Sequence, residues 1–350
     1  MSEMILAGKP TIRMALGLMG LTLFADQPVS DDVAFEVIKT SLDAGATHLN
    51  SAMFYGSPSD KLSNLKLLGR FFKAYPQYKD KAILGVKGGM TGAFAGCTGD
   101  IDHLRKELLT AKELLGEKEI DIFACARVPD DRPFEETIKN LVQLQSEGLF
   151  RTIGLSETSA SSMRLAHQIA GKLISSNEIE VSLQTLLDPL IVESIKTAEE
   201  LGIIIIGYSP FGHGLLSGQT PSGEGDWRNH LPRFQKENLD RNLALVRDLE
   251  DLAKKSGRKL TEVILGSMIA YSPNILPLPG SKSPKRVAEN NAAAQVKLSD
   301  EEMKEIFEIL NKNPVIGTRY PEFGMGALVS VFLLIVLTGC HMLTCLWFTM

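Results

Sequence analysis

Cysteine is scarce: Cys97, Cys125, Cys340 and Cys345 are the only four in a chain of 350 residues. Their spacing fits neither a disulfide framework nor a zinc site. The six histidines form no HxxxH or HxH pattern, so no metal centre is expected. An excess of basic charge is also missing. Lys and Arg number 37 against 42 Asp and Glu, a formal net charge of −5. The cations are scattered with no basic stripe, which removes the electrostatic footprint of a nucleic-acid binder. No charged stretch followed by an apolar core opens the chain, so a cytoplasmic location is expected rather than secretion. Finally, no GxGxxG turn joins an early strand to a helix, which weighs against a doubly wound dinucleotide fold.

What is present is the balance of a folded protein with a sizeable core: 44% apolar and 23% charged residues. One segment departs from it. From Gly324 to Met350 there is no Asp, Glu, Lys or Arg. Spanning a bilayer takes about 20 mostly apolar residues, so this tail is long enough to act as a transmembrane tail anchor, leaving the rest facing the cytosol. A buried C-terminal helix is a second reading, although a helix apolar on all sides offers water nothing. A mistaken reading frame is a third. Residues 1–320 are expected to form one domain, with 324–350 as a separate apolar segment.

Over most of the chain, short apolar runs alternate with helix-period segments. The runs are THLNSA (47–52), AILGVKG (82–88), IDIFACA (120–126), RTIGLS (151–156), EIEVSL (178–183), GIIIIGYS (202–209), ILPLPG (275–280) and a weaker AQVKL (294–298). Helix boundaries can be named between them. Pro133 opens a helix with Glu135 and Glu136 in its first turn. Gly202 closes another, and Ser299 with Glu302 has capping-box spacing. Eight strands each followed by a helix predict a (β/α)8 TIM barrel, whose function sits in the loops after the strands. The 212–240 connection, rich in Gly and Pro, has the length of a lid or ligand clamp.

Tyr55 lies just past the first of these runs, in "HLNSAMFYGSP", and Lys87 ends the next. A free phenol titrates near pH 10, and a neighbouring ammonium lowers that value. Such a pair could protonate a carbonyl oxygen while hydride reaches its carbon. Spacing alone equally fits a packed phenol and a lysine lying along the rim. Further on, "LPLPGSKSPKRVAENN" sets Ser281, Lys282 and Arg286 around a helix start, an anion site suited to a 2′-phosphate. A solvated basic turn is the plainer alternative. Tyr208, ending its run, could stack on a flat ring or simply fill core.

Taken in order, "HLNSAMFYG", "GVKGG", "RPFEETIKNLVQLQSEGLFRTIGLSE", "YSPFGHGLLSG" and "LPLPGSKSPKRVAENN" resemble the aldo-keto reductase family from about residue 11 to residue 320. The details "VKGG", "CARV" and "EIEVSL" look most like its fungal pyridoxal reductase branch. The resemblance implies reduction of an aldehyde, pyridoxal or a similar aromatic one, by NADPH, with Tyr55 as proton donor and Lys87 tuning it. It further implies that Ser156, Glu157 and Glu178 hold the nicotinamide carboxamide and that Tyr208 stacks on the ring. Ser209, Phe211 and Gly212 would begin the pyrophosphate loop. Ser281, Lys282 and Arg286 would grip the 2′-phosphate, with Glu289 and Asn290 at the adenine.

Two positions depart from that family's pattern. Asn50 stands where most members have an aspartate that pairs with the lysine, and Ala126 where most have a histidine. Asparagine orients Lys87 without neutralising it, so the ammonium is expected to press harder on the phenol. Losing the histidine's hydrogen bond to a substrate carbonyl costs on the order of 10- to 1,000-fold in rate if nothing replaces it. The alternative to an enzyme is therefore a low-turnover NADPH-binding sensor, or a scaffold barrel tethered to a membrane by its tail.

Overall fold

A parallel strand buried on both faces needs a helix to carry the chain back to the same end of the sheet. That requirement explains the alternation in the sequence. A computed structural model of the chain describes residues 3–23, 29–57, 59–92 and 96–321. It opens with an antiparallel hairpin, β1 (Glu3–Leu6) and β2 (Lys9–Ile12). Its two turn residues, Ala7 and Gly8, both have positive φ, as a tight two-residue turn matched to strand twist requires.

Eight parallel strands then alternate with helices. They run β3 (Ala15–Gly17), α1 (Met19–Thr22), α2 (Asp31–Asp43), β4 (His48–Ala52), α3 (Ser63–Ala74), β5 (Ile83–Gly88), α4 (Ile101–Leu115) and β6 (Ile122–Cys125). The series continues with α5 (Phe134–Ser146), β7 (Thr152–Ser156), α6 (Ala160–Ala170), β8 (Ile174–Glu180), α7 (Pro189–Leu201) and β9 (Ile204–Tyr208). The last turns of the fold are α8 (Lys236–Lys255), α9 (Leu260–Tyr271), β10 (Ile275–Leu278), α10 (Pro284–Ala293) and α11 (Asp300–Lys312). Each strand from β3 to β10 pairs with the next. A parallel bridge from Gly17 to Gly280 closes the cylinder, with the Gly17 amide donating to the Pro279 carbonyl at 2.9 Å. The fold is the expected (β/α)8 TIM barrel.

The largest apolar cluster lies between strands and helices, with Phe71, Phe72 and Phe123 fully buried. At the other end of the barrel, Met4, Leu6 and Ala7 of the hairpin pack on Ile83, Ile122 and Leu276, at or near the strand starts. The hairpin thus stoppers the N-terminal mouth and leaves the C-terminal mouth for function. Helix ends follow their local chemistry. Gly202 takes the left-handed conformation at φ 68° after α7. The Ser299 amide donates to Glu302 at 2.7 Å and the Glu302 amide to the Ser299 hydroxyl at 3.2 Å, a capping box.

Several expectations need correcting. Residues 294–298 form no strand: Val296 and Leu298 alternate because they pack against Gly266 in α9. The first barrel strand is instead Ala15–Gly17, whose three residues carry no periodic signal. Tyr55 therefore follows the second barrel strand and Lys87 lies on the third. The EIEVSL strand begins and ends earlier, at Ile174–Glu180. The 212–240 connection is not a loose lid. It winds through short 3₁₀ turns whose Leu215, Leu231 and Phe234 share a small core with Trp227 and Tyr320. Among the described residues no helix is long and apolar enough to cross a membrane. The 324–350 segment lies outside the described residues.

Candidate active site

Tyr55 follows β4 in a bend that Gly56 makes feasible. A Cβ on Gly56 would stand 2.0 Å from the Asp60 carbonyl oxygen. The Thr22 hydroxyl donates to the Tyr55 carbonyl at 2.7 Å, fixing the backbone there. The ring is buried at 8% exposure and faces the barrel mouth. Lys87, on β5 and 5% exposed, sets its ammonium 5.1 Å from the centroid of that ring. The two groups share one mouth.

The ammonium does not stand alone. It donates to Asn50 Oδ1 at 2.5 Å and to both carboxylate oxygens of Glu178, at 2.9 and 3.0 Å. The Asn50 amide donates to Glu178 Oε2 at 2.7 Å. β4 and β8 are opposite strands of the barrel, so these contacts cross its interior. Burial pushes the Tyr55 phenol above its ordinary value and Glu178 adds to the rise, while the ammonium pulls the other way. Burial also works against the Lys87 charge, yet Glu178 and Tyr55 outweigh it and hold Lys87 above its ordinary value. This corrects the expectation of an unneutralised ammonium and an acidified phenol. At neutral pH the pair is a protonated phenol beside a charged, neutralised ammonium.

A second cluster fills the neighbouring part of the mouth. Ser156 donates to the Ala126 carbonyl at 3.0 Å, and Arg127 Nη1 donates to the same oxygen at 2.7 Å. Glu157 is fully buried, at a positive φ of 49°, and accepts from the Tyr208 hydroxyl at 2.7 Å. Across both lies Arg319, from the segment after α11. It donates to Glu157 Oε1 at 2.8 Å, to the Tyr208 hydroxyl at 2.7 Å and to Glu180 Oε2 at 2.8 Å. Arg233 reaches the other Glu180 oxygen at 2.8 Å. Burial works to raise the Glu180 carboxyl, but Arg319, Arg233 and His213 hold it down at about 2. Burial and the Glu157 charge drive the Tyr208 phenol well above its ordinary value.

The segment carrying Arg319 is itself pinned. The Asn242 amide donates to the Ile316 carbonyl at 2.9 Å, and the Ile316 amide donates back to Asn242 at 2.8 Å. Gly317, at φ 91°, passes so close to Pro232 that a Cβ would meet its backbone at 2.8 Å.

Two anion-seeking features rim the same mouth. In the loop after β9, Ser209, Gly212 and His213 all have positive φ, the left-handed conformation that anion-binding loops use. Beside it Gln184 Nε2 and His213 Nε2 are buried without a partner among the described residues. After β10, Ser283 caps α10, and Lys282 and Arg286 are exposed with no ion pair among the described residues. Asn290 is buried in that helix, and Glu289 stands 3.7 Å from Lys259. Among the described residues no group of three or more His, Cys, Asp and Glu could hold a metal ion.

The Aldo/keto reductase family model matches residues 13–311. The chain belongs to the aldo/keto reductase family. It is 34% identical to Probable pyridoxal reductase 2 of Schizosaccharomyces pombe over 318 residues, covering 88% of this chain and 94% of that protein. It is 33% identical to yakc, an NADP(+) aldo-keto reductase of the same yeast, over 88% of this chain and 91% of that protein. Among solved structures, the Gluconobacter oxydans glycerol dehydrogenase AKR11B4 superposes with a TM-score of 0.78 at 23% identity, covering 89% of this chain and 96% of that one. An aldo/keto reductase is an oxidoreductase.

In this aldo/keto reductase the residues expected from sequence gather at one mouth, but in two groups. Tyr55, Lys87, Asn50 and Glu178 form one; Ser156, Glu157 and Tyr208 form the other, with Ser209, Phe211 and Gly212 continuing from it. Ser281, Lys282, Arg286, Glu289 and Asn290 lie apart from both, in the loop after β10 and in α10. The Arg319 guanidinium covers one face of Tyr208, 6.0 Å from its ring centroid. Sequence reasoning missed Arg319, Glu180 and Arg233 altogether. A single arginine after the last helix carries no local signal in the sequence.

Proposed function

We propose that this chain reduces an aldehyde to an alcohol with NADPH, and that Tyr55 delivers the proton. The observation that carries the reading is the Lys87 ammonium 5.1 Å from the centroid of the buried Tyr55 ring, both at the C-terminal mouth. A donor must hold its proton until negative charge develops on the carbonyl oxygen. Burial keeps the phenol protonated, and the ammonium then favours the phenolate that remains.

The residues fit a phosphorylated dinucleotide. The Gln184 amide nitrogen at the loop after β9, buried and without a partner among the described residues, can donate to an oxygen of such a ligand. The two cations flanking the start of α10 have no carboxylate of their own among the described residues. Ser209, Phe211 and Gly212 would hold the pyrophosphate, Ser281, Lys282 and Arg286 the 2′-phosphate, and Glu289 and Asn290 the adenine. Ser156 and Glu157 would orient the carboxamide, with Tyr208 under the ring. When bound, NADPH supplies the hydride. A pyridoxal-like aromatic aldehyde is the substrate we favour, on the 34% identity to a protein named as a pyridoxal reductase.

Purified protein should oxidise NADPH with pyridoxal or with members of an aromatic aldehyde panel. Tyr55→Phe should bind NADPH and lose turnover by at least about 100-fold. A Tyr55→Phe enzyme at full rate removes Tyr55 as the donor. A second reading, a low-turnover NADPH-binding sensor, draws on Ala126, whose methyl offers a carbonyl no hydrogen bond. Stopped-flow oxidation of bound NADPH by aldehydes separates the two.

A further inference from the structure

We propose that Glu178 is the positioning residue for Lys87: its carboxylate, carried by β8, holds the ammonium against the Tyr55 ring and supplies the negative charge that Asn50 lacks. The inference rests on the Tyr55–Lys87 reading of the site and replaces the carboxamide role expected of Glu178.

The geometry points one way. Every side-chain hydrogen bond found for the Glu178 carboxylate goes to Lys87 or Asn50. Asn50 is neutral, so it can accept from the ammonium and donate to the carboxylate but cannot balance a charge. Its amide ties the two ionised groups into one triangle. An ammonium buried at 5% exposure without a carboxylate would be strongly disfavoured.

The other titratable groups around the triangle do not substitute. His48 lies two residues before Asn50 on β4, on the same strand face. Burial lowers it to about 4, so it is neutral at pH 7. Its Nε2 has no partner among the described residues, and it lines a cavity of about 10 Å³ with Asn50, Lys87 and Glu178. That is about the room of one water, too little to solvate a charge. Arg127, at the end of β6, is a second cation acting on Tyr55 rather than a counter-ion for Lys87. Glu178 is thus the carboxylate that neutralises Lys87.

Two variants and two readouts test this. Glu178→Gln removes the charge with little change of shape. The double variant Asn50→Asp with Glu178→Gln moves a carboxylate to the opposite strand while leaving it beside the same ammonium. Tyrosinate absorbance, read as the difference from the matching variant carrying Tyr55→Phe, follows the phenol without any turnover. The alkaline limb of kcat follows the Tyr55–Lys87 pair during reduction.

We expect Glu178→Gln to move both readouts about one pH unit or more toward acid, because the buried ammonium, left without its carboxylate, favours the Tyr55 phenolate as its counter-charge. The double variant should bring both back to within about 0.3 unit of the parent. NADPH affinity should change by less than about threefold. Glu178→Gln with an unmoved phenol and an NADPH affinity changed by about tenfold or more would overturn the proposal and return the side chain to the cofactor. If Glu178→Gln fails to fold, the double variant decides alone: a folded protein with the parent titration supports the relocation, and a displaced titration overturns it. Failure of the broader reading looks different: Tyr55→Phe would then be fully active, while the phenol titration of the parent and its dependence on Glu178 would still stand.

Discussion

Replacing Arg319 by Met tests whether the segment after α11 is structural cement at the mouth. The guanidinium bonds Glu180, Glu157 and the Tyr208 hydroxyl at 2.7–2.8 Å, and both carboxylates are fully buried. The fall of Glu180 from 4.5 to about 2 is worth about 3 kcal/mol of stability. Arg319 is the first of its attractive charges and Arg233 the second, so a large share of that goes with Arg319. The guanidinium taken from Glu157 adds to the loss, and breaking one side of a buried pair costs about 3–5 kcal/mol. We expect Arg319→Met to lose about 3 kcal/mol at pH 7.

The pH dependence has a definite sign. A carboxyl depressed in the folded state stabilises above its unfolded value and loses that contribution as pH falls toward its folded one. The gap between parent and variant should therefore be full above about pH 5 and narrow as pH falls toward about 2. Urea unfolding followed by tryptophan fluorescence measures it, and Trp227 sits edge-on to His213 at 5.1 Å beside the cluster. A gap below about 1 kcal/mol at pH 7, or one that does not narrow in acid, would refute the reasoning.

Two further outcomes follow from the geometry. Changing Lys282 and Arg286 together to Ser should raise the KM for NADPH by about tenfold or more and leave that for NADH nearly unchanged, measured by parallel steady-state titrations; equal effects on both would place the 2′-phosphate elsewhere. Gly56→Ala should lower both the thermal midpoint and kcat, because its new methyl must displace the Asp60 carbonyl and with it the bend that carries Tyr55. A folded Gly56→Ala enzyme with parental kcat would show that Tyr55 is aimed by something other than that bend.

The barrel was legible because each strand is an apolar run buried on two faces and each helix has its own stops. The strand at Ala15–Gly17 was not legible: three residues cannot show a period, and it exists through pairing with β4 and the closure on Gly280. The apparent strand at 294–298 shows the reverse case, since packing against one glycine of α9 produced an alternation that strands also produce. At the site, the tyrosine and lysine could be placed on one rim because both end neighbouring strands. The charge balance could not, because Glu178 is 128 residues from Asn50 and meets it across the barrel axis.

Local order therefore determined a good deal here. Propensity, capping and the spacing of apolar runs set the alternation of strand and helix, the kind of barrel and the mouth where chemistry gathers. Only the closed cylinder decided which charges face each other. Side chains from across the barrel, and from the segment after α11, meet in an interior that water screens little, so Lys87 finds Glu178 and Arg319 finds Glu157 and Glu180. No pattern along the chain records those meetings, since they depend on where the sheet closes.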